Sequence, residues 1–173
     1  MKVGTRSVLY GVHAFWFHPF TVLLACIKLD GIPNWKEIVC IFLHDLGYFG
    51  KNEMDGPEGE THPVVGAKIA GHLFGKEYHD LCLYHSRTTA KKYCVDPSKM
   101  CWWDKLSILY DPSWFYILRA TLSGEIEEYR KAAADFDAIP IEMSNMKWIS
   151  WAKERMIRKA LAKDVRPPYE VGS

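Results

Sequence analysis

The chain has 173 residues, 49% of them hydrophobic and 14% aromatic, with a formal net charge of +1. This length suits one domain with a core that needs no disulfides, and the composition excludes a disordered chain. The balanced charge excludes a global field for nucleic acid or an anionic membrane, so an anionic ligand needs a local cation cluster or a metal.

The opening stretch, MKVGTRSVLYGVHAF, carries no long apolar run and no clear cleavage site. No run approaches the roughly 18 apolar residues of a membrane span. A soluble, cytoplasmic protein with no membrane partner is expected. The cysteines are Cys26, Cys40, Cys82, Cys94 and Cys101, an odd set with no CxxC pair. The first three lie in apolar runs, where buried reduced thiols are expected, in keeping with a reducing compartment.

Residues 18–30, HPFTVLLACIKLD, predict a nearly all-apolar helix stopped by Gly31 and Pro33. Asn34 with Glu37 forms a capping-box pattern that opens the next helix, through WKEIVCIFLHDLGYF to about residue 49. Residues 50–61 form a polar, acidic, Gly-containing loop of the kind that serves as a lid. A helix then covers 63–74, and another about 77–91. Asp96–Pro97 and Asp111–Pro112 read as caps with a first-turn proline, opening SKMCWWDKLSILY and SWFYILRATLS. Segments 125–134 and 145–163 complete the helices, and the tail from 164 reads as frayed. No segment alternates as a half-buried strand does, so the fold class is all-α, a compact bundle of about six to eight helices. The whole chain 1–173 is expected to be one domain, with a site-bearing core at about 13–110 and C-terminal helices at 112–163.

His44–Asp45 follows four apolar residues in a helix that must be largely buried. A buried carboxylate costs several kcal/mol unless it is paired or holds a metal, and imidazole is the commonest metal ligand. His18 opens the preceding apolar helix, and a short turn between antiparallel helices brings it back to His44. Asp104 is a carboxylate in an aromatic, apolar segment; its plain alternative is a surface ion pair with Lys105, Lys99 or Lys163. His62 and His85 extend the order to His18, His44–Asp45, His62, His85, Asp104. The later gaps of 17, 23 and 19 residues each hold one helix and its turn, as in bundles with inward-facing metal sites.

This ordered series resembles the HD-domain superfamily, whose signature is H…HD…D. The resemblance assigns His18, His44, Asp45 and Asp104 to the signature. The two extra histidines are similar to the dinuclear branch, as in HD-GYP phosphodiesterases and HD-type mixed-valent di-iron oxygenases. There, Asp45 would bridge two metals, with His62 and His85 on the second. The sequence departs in three ways. Lys51 stands six positions past Asp45 with no GYP motif after it. The stretch LGYFGK lacks the Glu of the mononuclear nucleotidases. His13 rivals His18 as first ligand.

The resemblance implies a metal-dependent phosphohydrolase using metal-activated water on a nucleotide or other small phosphate ester. Asp45 would be central to its chemistry. Arg87, Lys105 and Lys51, in that order, are the cations expected to meet phosphate oxygens. One or two divalent transition ions are expected, from manganese, iron, cobalt, nickel or zinc. The alternatives are a di-iron oxygenase on the same ligands and a non-catalytic, metal-stabilised binding or regulatory protein. No stable nucleic-acid complex is expected, and the aromatics allow a homo-oligomer. Asp55, Glu58 and Glu60 read as a solvated lid or as acid catalysts. His72 and His79 lie off the series. Tyr48, Trp102 and Trp103 read as core or as a base-stacking surface. The basic segment 147–163 reads as a helix with an apolar inner stripe and a solvated back.

Overall fold

The computed structural model describes residues 1–165, with side chains described through 162. Regular structure among them is wholly helical. The α-helices are α1 (Val3–Tyr10), α2 (His18–Asp30), α3 (Trp35–Leu43), α4 (Pro63–Phe74), α5 (Lys76–Leu83), α6 (Arg87–Lys92), α7 (Met100–Ser107), α8 (Ser113–Ser123), α9 (Glu125–Asp137) and α10 (Asn145–Val165). Three 3-10 turns accompany them. The tail read as frayed lies outside the described residues beyond 165. No helix of the described chain is long and apolar enough to cross a membrane.

The α-helix count of ten exceeds the six to eight expected, for two local reasons. α1 precedes the first helix read from the sequence. The segment 77–91 also splits, because Ser86 is extended and its hydroxyl accepts from Thr89 N at 3.3 Å, starting α6 anew. The capping box at α3 forms as expected: Asn34 Oδ1 accepts from Lys36 N and Glu37 N, and the Glu37 carboxylate accepts from Asn34 N. Neither Asp-Pro pair caps a helix. Ser98 is tied to the end of α5, its hydroxyl donating to Leu81 O at 2.7 Å, and α7 starts only at Met100. Asp111 instead pairs with Arg119, in the second turn of α8.

α2 packs along α7, while α4 packs on α5 and on the end of α3. Their shared core contains Val22, Cys26, Ile41, Cys82 and Trp103. A second core joins α8, α9 and α10 through Tyr116, Ala120, Ile126, Trp148 and Ile149. Arg119 is buried at the seam. Its guanidinium lies 4.6 Å from both the Phe17 and Phe115 rings and donates to Gly11 O at 2.7 Å and Val12 O at 3.1 Å. It therefore fixes the loop that delivers His18. Four cysteines are buried, Cys94 is exposed, and none of the five forms a disulfide among the described residues.

α10 buries Trp148, Ile149 and Ala152 and exposes Lys147 and Arg158, as expected of the stripe's first half, but Ile157 and Leu161 further along it are exposed. Two of its cations are not on the solvated back. Lys153 donates to Asp111 O at 2.6 Å, and Arg155 packs on Trp151. The Lys163 side chain lies outside the described residues.

Candidate metal centre

Close backbone approach brings the ligands together. A Cβ on Gly66 of α4 would stand 2.4 Å from Leu43 O, and one on Gly47 would stand 2.0 Å from His62 O. Glycine at both positions lets the end of α3 seat directly on the start of α4. α3 ends at Leu43, so His44 is its cap and Asp45 leads into a 3-10 turn. The doublet thus sits at a helix end rather than inside the helix, where its two side chains can diverge.

All six residues of the ordered series converge. His18, His44, Asp45 and Asp104 form one group able to hold a metal ion, and Asp45, His62 and His85 form a second. Asp45 belongs to both, and its two oxygens divide the work. Oδ2 lies 3.2 Å from His18 Nε2 and 3.1 Å from His44 Nε2. Oδ1 lies 3.6 Å from both His62 Nε2 and His85 Nε2. Asp104 Oδ1 closes the first group at 3.1 Å from His18 Nε2.

The donor set fits a cation. Buried Nε2 atoms of His18 and His44, and Oδ2 of Asp45, have no hydrogen-bond partner among the described residues despite their proximity. Orphaned buried polar atoms of this kind are rare without an ion or water. Their spacing matches the edge of a coordination polyhedron with bonds of about 2.1 Å, roughly 3.0–3.4 Å. The histidine tautomers point the same way. Nδ1 donates to Ile41 O in His44 (2.7 Å), to Gly59 O in His62 (2.8 Å) and to Cys82 O in His85 (2.6 Å). A carbonyl only accepts, so in each neutral ring the Nε2 lone pair faces the centre. For His62 and His85 those atoms meet at 3.0 Å.

In the absence of an ion the two carboxylates instead favour a proton on His44, which a metal would displace. Burial opposes a charged His44, but Asp45 and Asp104 outweigh it and raise its pKa well above the usual value. Burial likewise opposes ionisation of Asp45, and His44, His13 and His18 hold it well below the carboxylate range. Burial and then His85 push His62 down to about 3, leaving it a neutral ligand.

The groups open into a cleft of about 390 Å³. Arg87 and Lys105 line it, as do Asp55 and Glu60 of the loop. Burial, then Glu128 and Glu60, raise the Asp55 pKa despite His13. Lys51 is not brought there. It donates to Thr61 Oγ1 at 2.6 Å, because the chain turns outward at Gly50, whose φ is +79°. Glu58 turns away as well, onto Asn52. Tyr48 stacks on His62 with centroids 4.0 Å apart, and Trp103 is core, so neither offers an open stacking face. Trp102 is half-buried. His72 is exposed and His79 pairs with Asp80, both away from the centre.

Comparison with protein-family models, with curated proteins and with solved structures found no match.

His13 is not a member of either ligand group. Its Nδ1 lies 3.1 Å from Glu125 Oε1 and 3.0 Å from Ser7 Oγ, so it forms a wall of the cleft. Burial opposes its protonation, but Asp45, Glu125 and Asp104 raise its pKa to about 9. Glu125 is the positioning residue that sequence reasoning missed. It reads as one of several acids in an ordinary helix first turn, and only tertiary structure shows it buried.

Proposed function

We propose that the protein is an HD-type, metal-dependent phosphohydrolase acting on a nucleotide or another small phosphate ester. The observation that supports this reading is the division of Asp45, one oxygen toward each group of histidines, in the order that resembles the dinuclear HD branch. His18, His44, Asp45 and Asp104 would hold one ion, and Asp45, His62 and His85 the other. A divalent transition metal supplies Lewis acidity and a water whose pKa falls toward neutrality.

The chain's own residues do the rest. The Nδ1–carbonyl bonds lock three imidazoles so that binding costs little reorganisation. Arg87 and Lys105 present donors to the non-reacting phosphate oxygens. Thr88 and Ser86 hold Glu60 at 2.9 and 3.4 Å, keeping that carboxylate at the rim rather than in competition with phosphate. Glu125 orients His13 as one wall, and Tyr48 and Met54 exclude water on another.

A second reading, the HD-type oxygenase, draws on one feature. Asp45, His62 and His85 form a two-histidine, one-carboxylate set, the pattern of non-haem iron oxygenases. Parallel assays separate the two. Protein reconstituted with manganese, zinc or iron is given bis-para-nitrophenyl phosphate and a nucleotide panel, and dioxygen uptake is followed on the iron sample. The hydrolase reading expects phosphate-ester turnover without dioxygen. Dioxygen uptake with no ester turnover would replace it with the oxygenase, and metal binding with neither would replace it with a binding protein.

Arg87→Ala should lower kcat/KM roughly 10- to 100-fold, the worth of one charged hydrogen bond of about 1.5–3 kcal/mol. Lys51→Ala should leave it within about twofold, as expected for a cation outside the cleft. Steady-state kinetics on the two variants tests this, and equal effects would show that the cleft assignment is mistaken.

A further inference from the structure

α8 turns a face to solvent that carries no charge. Its one charged residue, Arg119, is buried. Trp114, Leu118 and Leu122 stand out from the helix at i, i+4 and i+8, and are 65%, 47% and 61% exposed. The exposed Thr121 is the polar residue beside them. α4 carries a stripe of the same spacing, Val65, Ile69 and Leu73, but Lys68 and His72 are exposed alongside it.

Aromatic rings extend the α8 face. Trp114 and Trp16 both pack on Phe115, with centroids 5.4 and 6.3 Å away, and Phe17 meets Phe115 edge-on at 5.1 Å. Trp16 is 46% exposed. These rings are held in place by the chain itself. The Trp16 indole N–H donates to Leu9 O at 2.9 Å, and the Arg119 guanidinium packs on the Phe17 and Phe115 rings. Tryptophan anchors in charge-poor surroundings mark the centres of protein interfaces, and anchors already fixed lower the ordering cost of association.

Shape and area indicate what covers this face. Residues four apart form the ridges that most often interdigitate between helices. The ridge of three is centred on Leu118. A two-fold axis there sets Trp114 of each chain beside Leu122 of the other, a large side chain against a smaller one. Such a contact is isologous and closes after two copies. The exposed parts of Trp16, Trp114, Leu118 and Leu122 amount to roughly 450 Å² per chain, on a scale of about 150–250 Å² for a whole large side chain. Two copies then bury roughly 900 Å², and the half-buried Phe17 and Phe115 with a polar rim take the contact past the approximately 1,000 Å² of a specific interface.

We propose that α8 and Trp16 form a homodimer interface, in which two copies of the chain meet about a two-fold axis at Leu118. The face lies apart from the metal cleft, whose lining includes none of its four exposed residues.

The test is sedimentation velocity on metal-loaded protein over a concentration series. The wild type should reach twice the 20.0 kDa of the chain. Leu118→Arg sets two guanidinium groups against each other at the axis and should return the single mass, with metal content and circular dichroism unchanged. Ile69→Arg, on the α4 stripe, should remain a dimer. A second measurement does not depend on how Leu118→Arg folds. Cys94, the exposed cysteine, is changed to serine. In that background Leu118→Cys should give a disulfide-linked dimer on mild oxidation with copper phenanthroline, and Ile69→Cys should not. A dimer that survives Leu118→Arg, or that crosslinks through Ile69→Cys and not through Leu118→Cys, would overturn the assignment of this face. A wild type that stays monomeric at every concentration would overturn the dimer. If that monomer co-sediments with phosphatidylcholine vesicles and Leu118→Arg does not, the face belongs to a lipid surface instead.

Discussion

Asp45→Asn should strip the centre of metal and lower phosphate-ester turnover by roughly 10³-fold or more. Asp45 is the only residue common to both ligand groups among the described residues. Asparagine keeps its volume but loses its charge, and an amide is a poor bridge between two cations. Metal activation contributes several kcal/mol of charge stabilisation, and each 1.36 kcal/mol is tenfold in rate. The fold should survive, because with Asp45 gone the field that keeps His44 protonated weakens and a neutral ring is tolerated in its place. Elemental analysis, circular dichroism and kinetics on one sample check all three points. A variant that keeps both its metal and its turnover would refute the bridging role of Asp45.

Glu125→Ala should cost about 3–5 kcal/mol, the scale of breaking a buried charged network. The carboxylate is 0% exposed. Oε1 accepts from Ser7 Oγ at 2.7 Å and Tyr129 OH at 2.9 Å and faces His13 Nδ1; Oε2 accepts from Val12 N at 2.8 Å and Ser123 Oγ at 2.5 Å. Alanine removes the acceptor of Val12 N–H and Tyr129 OH and the counter-charge of His13, while Ser7 keeps His13 and Ser123 keeps the Arg119 carbonyl. At about 2–4 °C per kcal/mol for a chain of this size, Tm should fall by roughly 6–20 °C. The pH dependence has a definite sign. Burial pushes the Glu125 pKa up, but His13, Ser123 and Val12 N–H outweigh it and hold it below its usual 4.5. A depressed carboxylate stabilises fully above its unfolded pKa and loses that contribution as pH falls through the folded value. The difference in Tm between wild type and variant should therefore be full above pH 4.5 and shrink in acid. Thermal melts across that range test this, and an unchanged Tm would show that the network contributes nothing.

These two residues show what the sequence could and could not disclose. Asp45 was legible because a carboxylate beside a histidine after IFL has no cheap buried alternative. His18, His62, His85 and Asp104 were legible only as an ordered series, since each alone has an ordinary surface or capping role. Local signals with local partners, such as the Asn34–Glu37 capping box, translated directly into structure. Signals satisfied over long range did not. Glu125 finds Ser7 and Val12 more than a hundred positions away; Asp111, even over eight positions, is drawn to Arg119 instead of capping α8. Lys51 failed for a geometric reason, since one left-handed glycine redirects the chain after the doublet.

The most direct test of the account is the number of metal ions per chain. Purified protein is saturated with manganese or zinc, freed of unbound ion by gel filtration, and measured by elemental analysis. The two ligand groups joined by Asp45 predict a value close to two per chain. A value near zero after saturation would contradict the metal centre itself.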